Sequence, residues 1–156
     1  MSGDGGDIFA VSAAARKIRD VLRDIHFYGY SKKSPFSVGA VEKRMKDYAN
    51  TNGISIASGN LYMSPKSISH SQRATKVRKG LAVSDMDLIQ FPKNRAKMDL
   101  FYDGAVFVYT DYKAKFIVHP NYEIKTPKGK TNKVNFITAT KVTDSNEFRL
   151  PKYRRI

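Results

Sequence analysis

The chain has 156 residues, with 28 Lys and Arg against 14 Asp and Glu, a formal net charge of +14, and neither Cys nor Trp. That length fits one domain spanning residues 1–156, and a composition 41% hydrophobic and 12% aromatic is enough to bury a core, which excludes wholesale disorder. The missing cysteines exclude disulfide scaffolds, thiol catalysis, zinc fingers and iron–sulfur clusters together.

The first residues, MSGDGGD, place acids ahead of any apolar run, so segment 1–7 reads as a flexible terminus rather than a signal peptide. No apolar stretch approaches about 18 residues, so no membrane span is expected, and the expected location is the cytoplasm. Residues 8–27 place Ile8, Val11, Ala14 or Ala15, Ile18, Val21 or Leu22 and Ile25 at three- and four-residue steps, which predicts an amphipathic helix ending near Gly29. Ser37 is a candidate N-cap for a shorter helix carrying Val41, Met45 and Tyr48, stopped by Asn50, Asn52 and Gly53. Residues 51–63 read as a loop or a weak extended piece. Ser64-Pro65 supplies a cap and a proline at the first helical position, opening a helix that Gly80 closes.

Ser84-Asp85-Met86-Asp87 starts another short helix, through Leu88, Ile89 and Phe91, that Pro92 is expected to end. After Pro92 the period changes from helical to alternating. Met98, Leu100 and Tyr102, then Asp103-Gly104, then Val106, Val108 and Thr110 predict a hairpin with a type I′ turn. Phe116 to Val118 form a third strand with Tyr122 to Lys125 as a short continuation; Pro127 to Lys130 turn, and Val134 to Val142 form the last long strand. The tail, 144–156, is basic, aromatic and expected to be mobile. A mainly helical segment 8–92 followed by a sheet over 93–143 gives an α+β fold, with N-terminal helices on one face of a curved antiparallel sheet of about four strands.

The charge narrows the class of partner. Residues 1–30 carry four basic and four acidic side chains, so the whole positive excess lies beyond residue 30. Such a field attracts polyanions, and single-stranded RNA is the expected partner, with the ribosome or a host protein as alternatives and no role for a membrane. Metal-dependent chemistry requires converging carboxylates, and Asp85, Asp87, Asp99, Asp103 and Asp111 are scattered or explained by caps and turns, so no metal or cofactor is expected. RNA can be cut without a metal: its own 2′-hydroxyl attacks the phosphate when a base removes the proton, cations stabilise the charge, and an acid protonates the leaving oxygen. His70, followed by Arg73, Lys76, Arg78 and Lys79, puts an imidazole among cations that hold it toward its neutral form, so His70 is the expected base or acid, with Arg73 in the catalytic set as a phosphate and transition-state cation beside Arg78 and Lys115. A solvated basic helix face that happens to include a histidine is the competing reading. His119, at the expected end of the third strand, is a candidate counterpart, whereas His26, between Ile25 and Phe27, is expected to be partly buried and structural. Arg95, Lys115, Lys125 and Lys141 complete the candidate nucleic-acid contacts, interleaved with Tyr109, Phe116, Tyr122 and Phe136.

Ser69-His70, Arg73, Arg78-Lys79-Gly80-Leu81, the short helix to Pro92 and the strand ending Phe136-Ile137-Thr138-Ala139 resemble the small RelE-type RNases of the barnase–EndoU–colicin–RelE superfamily over about residues 64–142. Helices followed by a four-stranded sheet are also similar to RegB-like phage endoribonucleases. The resemblance implies a toxin or phage nuclease that cleaves RNA without metal. It matches His70 to the histidine opening the basic helix, Arg78 to the basic residue two turns on, and Thr138 to a hydroxyl on the last strand. One position departs: where the family carries Arg one turn after the histidine, this chain has Ala74, with Arg73 a step earlier. A noncatalytic RNA- or DNA-binding protein and a basic phage-encoded inhibitor that occupies a host protein's nucleic-acid site remain the alternatives.

Overall fold

The computed structural model describes residues 4–57, 59–125 and 128–156, with side chains from Val11 onward. Helix α1 (Asp4–Tyr28) follows the predicted period and presents Ala14, Ile18, Val21 and Leu22 to the core. It begins inside the segment expected to be flexible, since a formed helix extends at one hydrogen bond per residue. It stops where expected: the Gly29 amide caps the Ile25 carbonyl at φ 81°, a left-handed angle glycine adopts without strain. His26 corrects an expectation. Its side chain is 56% exposed and lies 3.0 Å from Asp85, tying the end of α1 to the start of a later helix rather than joining the core.

Ser37 does not cap a helix. It lies in strand β1 (Phe36–Ala40), in which Phe36 and Val38 are buried at period two, and helix α2 (Lys43–Thr51) starts after Glu42. Strand β2 (Asn60–Met63) occupies the end of the expected loop and pairs antiparallel with β1, so segment 8–92 is not simply helical. Ser64 then caps helix α3 (Pro65–Ser71) through a reciprocal box with Ser67, as the Ser-Pro pair predicts. The single helix expected to run to Gly80 is broken. Gln72 donates from its side chain to the Val83 carbonyl and to Asp85, the Val83 amide bonds the Ser71 carbonyl, and Arg73 adopts an extended conformation before helix α4 (Ala74–Arg78). Helix α5 (Asp85–Asn94) is capped by Ser84 and passes through Pro92 instead of ending there. Because Pro92 falls in the last turn, one helical donor is lost while the Arg95 amide still reaches the Phe91 carbonyl.

Strands β3 (Asp99–Tyr102) and β4 (Phe107–Thr110) form the predicted hairpin, but their connection is longer than a two-residue turn. Asp103 accepts from the Ala105 and Val106 amides, and Gly104 takes φ 100°. Strand β5 (Ala114–Lys125) is continuous where two pieces were expected, and β6 (Thr131–Lys141) pairs with it along most of its length. The predicted turn at 127–130 lies partly outside the described residues. The tail is docked: a 3-10 turn at Ser145–Arg149 leads to strand β7 (Arg154–Arg155), which pairs with β3. The chain is α+β with a seven-stranded mixed sheet, ordered β1-β2-β6-β5-β4-β3-β7, larger than the four antiparallel strands expected because β1, β2 and β7 extend both edges. Only the β2–β6 pair is parallel among the described strands.

One face of the sheet carries the main core, in which Phe91 of α5 stacks on Phe116 of β5 at 4.2 Å between ring centroids. On the other face Phe101, Val108, Val142 and Phe148 form a second cluster under the tail, with Ile117 and Tyr153 packed against it. This outer face stays open toward β6, and the open part positions the candidate site.

Candidate functional site

Strand β2 ends at Met63, and α3 then takes its place beside β6. Where helix replaces strand, a cleft of about 490 Å³ opens between α3 and the outer face of β5 and β6. His70, Lys66, Lys76 and Lys125 supply its polar and cationic side chains, and Tyr122, Ile124 and Phe136 its apolar floor, with Thr138 between them. The floor depends on a bulge. His119 faces Phe136 and Tyr122 faces Val134, so two residues on β5, Pro120 and Asn121, stand against one on β6, Asn135. The extra residue on β5 brings Tyr122 to the same face as His119 and Phe136, and the Tyr122 and Phe136 rings stack at 5.0 Å and 20°. Asn121 holds the bulge at φ 54° while its side chain donates to the Ser55 carbonyl and hydroxyl. His119-Pro120-Asn121 is therefore a mid-strand bulge and not the end of a strand.

His70 is exposed at the cleft rim, and its pKa is lowered first by the charge of Arg73, then by desolvation and by Lys76 and Lys66. Lys76 reaches across to the Ala139 carbonyl at 3.3 Å. Its ammonium is made more acidic by burial, then by Arg73 and Lys115. His119 is half-buried and hydrogen-bonded through Nε2 to Thr138 Oγ1 at 3.1 Å; burial lowers its pKa, opposed by the charge of Asp103. Thr138 thus connects the second imidazole to the cleft wall. His70 held toward its neutral form can accept a proton, and Lys76, whose ammonium is made more acidic, can donate one, with His119 linked to the same wall through Thr138.

Of the residues singled out from the sequence, the cleft collects His70, Lys76, Lys125 and Thr138, with His119 behind Thr138. Arg73 does not line it. The break after Ser71 turns Arg73 into a second groove on the opposite side of α3, which also contacts His70. Arg78 and Lys79 are exposed at the end of α4, and Lys141 is exposed at the end of β6.

Two expected contacts are otherwise engaged. Lys115 pairs with Glu147 of the tail at 2.9 Å and is 19% exposed. Arg95 is 12% exposed, pairs with Glu42, and lays its guanidinium on Gly39 of β1, so it braces the fold instead of facing a nucleic acid. Lys66 was missed, although its position four residues before His70 on a helix already places the two on one face. Among the described residues no three His, Asp or Glu side chains converge as metal ligands, and no helix is long and apolar enough to cross a membrane. Comparison with protein-family models, curated proteins and solved structures finds no match to this chain.

Proposed function

We propose that the chain is an endoribonuclease that binds single-stranded RNA in the α3–β6 cleft and cleaves it by attack of the substrate's 2′-hydroxyl. The observation that carries this reading is the meeting of His70, Lys66, Lys76 and Lys125 over a stacked Tyr122–Phe136 floor. Unpaired bases offer π-faces for such a floor and phosphates for its cationic rim, a pairing of needs that duplex nucleic acid does not present. Neutral His70 removes the 2′-hydroxyl proton, the oxygen bonds to phosphorus, and the P–O5′ bond breaks. The leaving oxygen takes its proton from Lys76, whose perturbed ammonium also neutralises the added negative charge.

Incubation with single-stranded RNA in excess EDTA is expected to yield 2′,3′-cyclic phosphate and 5′-hydroxyl ends, while DNA and RNA methylated at the scissile 2′-oxygen bind uncut. His70→Ala is expected to abolish cleavage with unchanged melting temperature and RNA affinity, since an exposed rim side chain holds no core together. Cleavage of DNA, or RNA cleavage that requires a divalent ion, overturns the mechanism. Binding without cleavage is the second reading. It is favoured by the engagement of His119 with Thr138, which leaves His70 as the one histidine in direct contact with the cleft. The cleft and its aromatic floor weigh against the third class, an inhibitor with a flat basic face.

A further inference from the structure

The ridge formed by α3 separates the cleft from a second groove of about 420 Å³, bounded by the end of α1 and the loop after it. Ile25 lies in its floor, Tyr30 and Arg73 stand at its sides, and Lys66 and His70 belong to both grooves. We infer that the second groove is a further nucleotide subsite, in which a base of the same RNA strand stacks on Tyr30 after the backbone has crossed Lys66 and His70. The inference rests on the proposed reading of the cleft and gives that substrate a path and a minimum length.

Three observations support it. Tyr30 is 57% exposed and, unlike the still more exposed Phe27 and Tyr28, stands at the side of this groove. The backbone next to it is fixed: Asp24 accepts from the Ser31 hydroxyl at 2.7 Å and from Lys33 at 3.2 Å, which ties the loop after Tyr30 to the last turns of α1. A loop already fixed loses little freedom when a base stacks on a ring it carries. The groove is also positively charged, with Lys66 and Arg73 at its sides, while the adjoining hollow beside Tyr30 carries both Lys32 and Asp24; the groove's charge suits a phosphate backbone and opposes a basic peptide. Sharing Lys66 and His70 places the crossing phosphate on the ridge, next to the imidazole assigned to proton removal.

An α-helix with its side chains is about 10–12 Å across, so a strand engaging both grooves must span that ridge. A trinucleotide should occupy only the cleft, which has two stacked rings and more cations, whereas an octanucleotide should reach both. The test uses fluorescence anisotropy with labelled oligouridine of these two lengths, methylated at the 2′-oxygens so that it binds uncut, on wild type, Tyr30→Ala, Tyr30→Phe and Tyr122→Ala, with circular dichroism to confirm folding. Tyr30→Ala is expected to weaken the octamer about five- to tenfold and leave the trimer unchanged, and Tyr30→Phe to retain wild-type affinity. Tyr122→Ala should weaken both lengths. If Tyr122→Ala weakens both while Tyr30→Ala changes neither, the second subsite is wrong and the cleft reading stands. If Tyr122→Ala has no effect or neither oligonucleotide binds, the cleft reading fails and the subsite fails with it.

Discussion

His119 is held half-buried with its Nε2 on Thr138, and burial lowers its pKa below the ordinary histidine value of about 6.5. Well above that value the imidazole is neutral in both the folded and unfolded chain and contributes no pH dependence. As pH falls below that value, the unfolded chain takes up a proton that the folded one resists, so stability falls until the lowered folded pKa is passed. The melting temperature is therefore expected to decline from pH 7 toward pH 5, and His119→Gln, which keeps a hydrogen-bonding group but cannot titrate, should flatten part of that decline. An unchanged slope in His119→Gln would assign the acid sensitivity elsewhere. The sequence showed His70 among cations, and the lowering of its pKa by Arg73 agrees with that local pattern. The sequence did not show that His119 belongs to the same wall. That relation depends on register across β5 and β6, which is long-range and leaves no local trace.

Helix α2, helix α5, the 3-10 turn after it (Arg95–Lys97) and strand β4 are joined by a polar brace. Glu42 accepts from the Tyr109 hydroxyl and pairs with Arg95, and Arg44 donates to the Arg95 and Met98 carbonyls while its guanidinium lies 5.5 Å from the Tyr109 ring centroid. Burial and the nearby Glu42 carboxylate push the Tyr109 hydroxyl well above its usual range, so it acts as a donor throughout the accessible pH range. Gly39 admits the brace: a Cβ there would lie 2.6 Å from Arg95 Nη2, at a φ of 137° that side chains rarely adopt. Arg95→Ala removes one partner of a mostly buried carboxylate and is expected to lower the unfolding free energy by about 3 kcal/mol, read from the urea midpoint, with RNA affinity retained in the folded fraction. A large affinity loss with unchanged stability would return Arg95 to the nucleic-acid surface. Elements with strong local signals were legible: the period of α1, the Ser64-Pro65 cap and the Ser84 cap. Strand β1 is disguised because Ser37 in isolation resembles a helix cap, and pairing with β2 overrides that preference. The continuation of α5 through Pro92 was obscured in a different way: proline forfeits the bond its own N–H would give to the preceding turn, but the amides after it can still bond, as that of Arg95 does to Phe91, so the helix ends two residues later than the proline alone suggests.

Across the whole molecule the tail divides the outer face of the sheet. Phe148 and Tyr153 cover Phe101, Glu147 captures Lys115, and the Tyr153 hydroxyl, its pKa pushed up to about 12 by burial and Glu147, donates to that same carboxylate. What stays open is the β5–β6 end with its cleft. A net charge of +14 attracts polyanions through its general field, so affinity alone would not locate a site, but the salt dependence of individual variants would. Lys66, Lys76, Lys125 and Arg73 border the two grooves, and if each neutralises one phosphate of a single strand, the slope of log K against log salt should be about −3. Lys66→Ala and Lys125→Ala should each make that slope shallower by about 0.7. Lys115→Ala should leave it unchanged, because Glu147 already balances that charge, and should instead lower stability by loosening the tail. Equal reductions for all three variants would mean that the lysines act as a diffuse field and that the phosphates do not lie along the grooves.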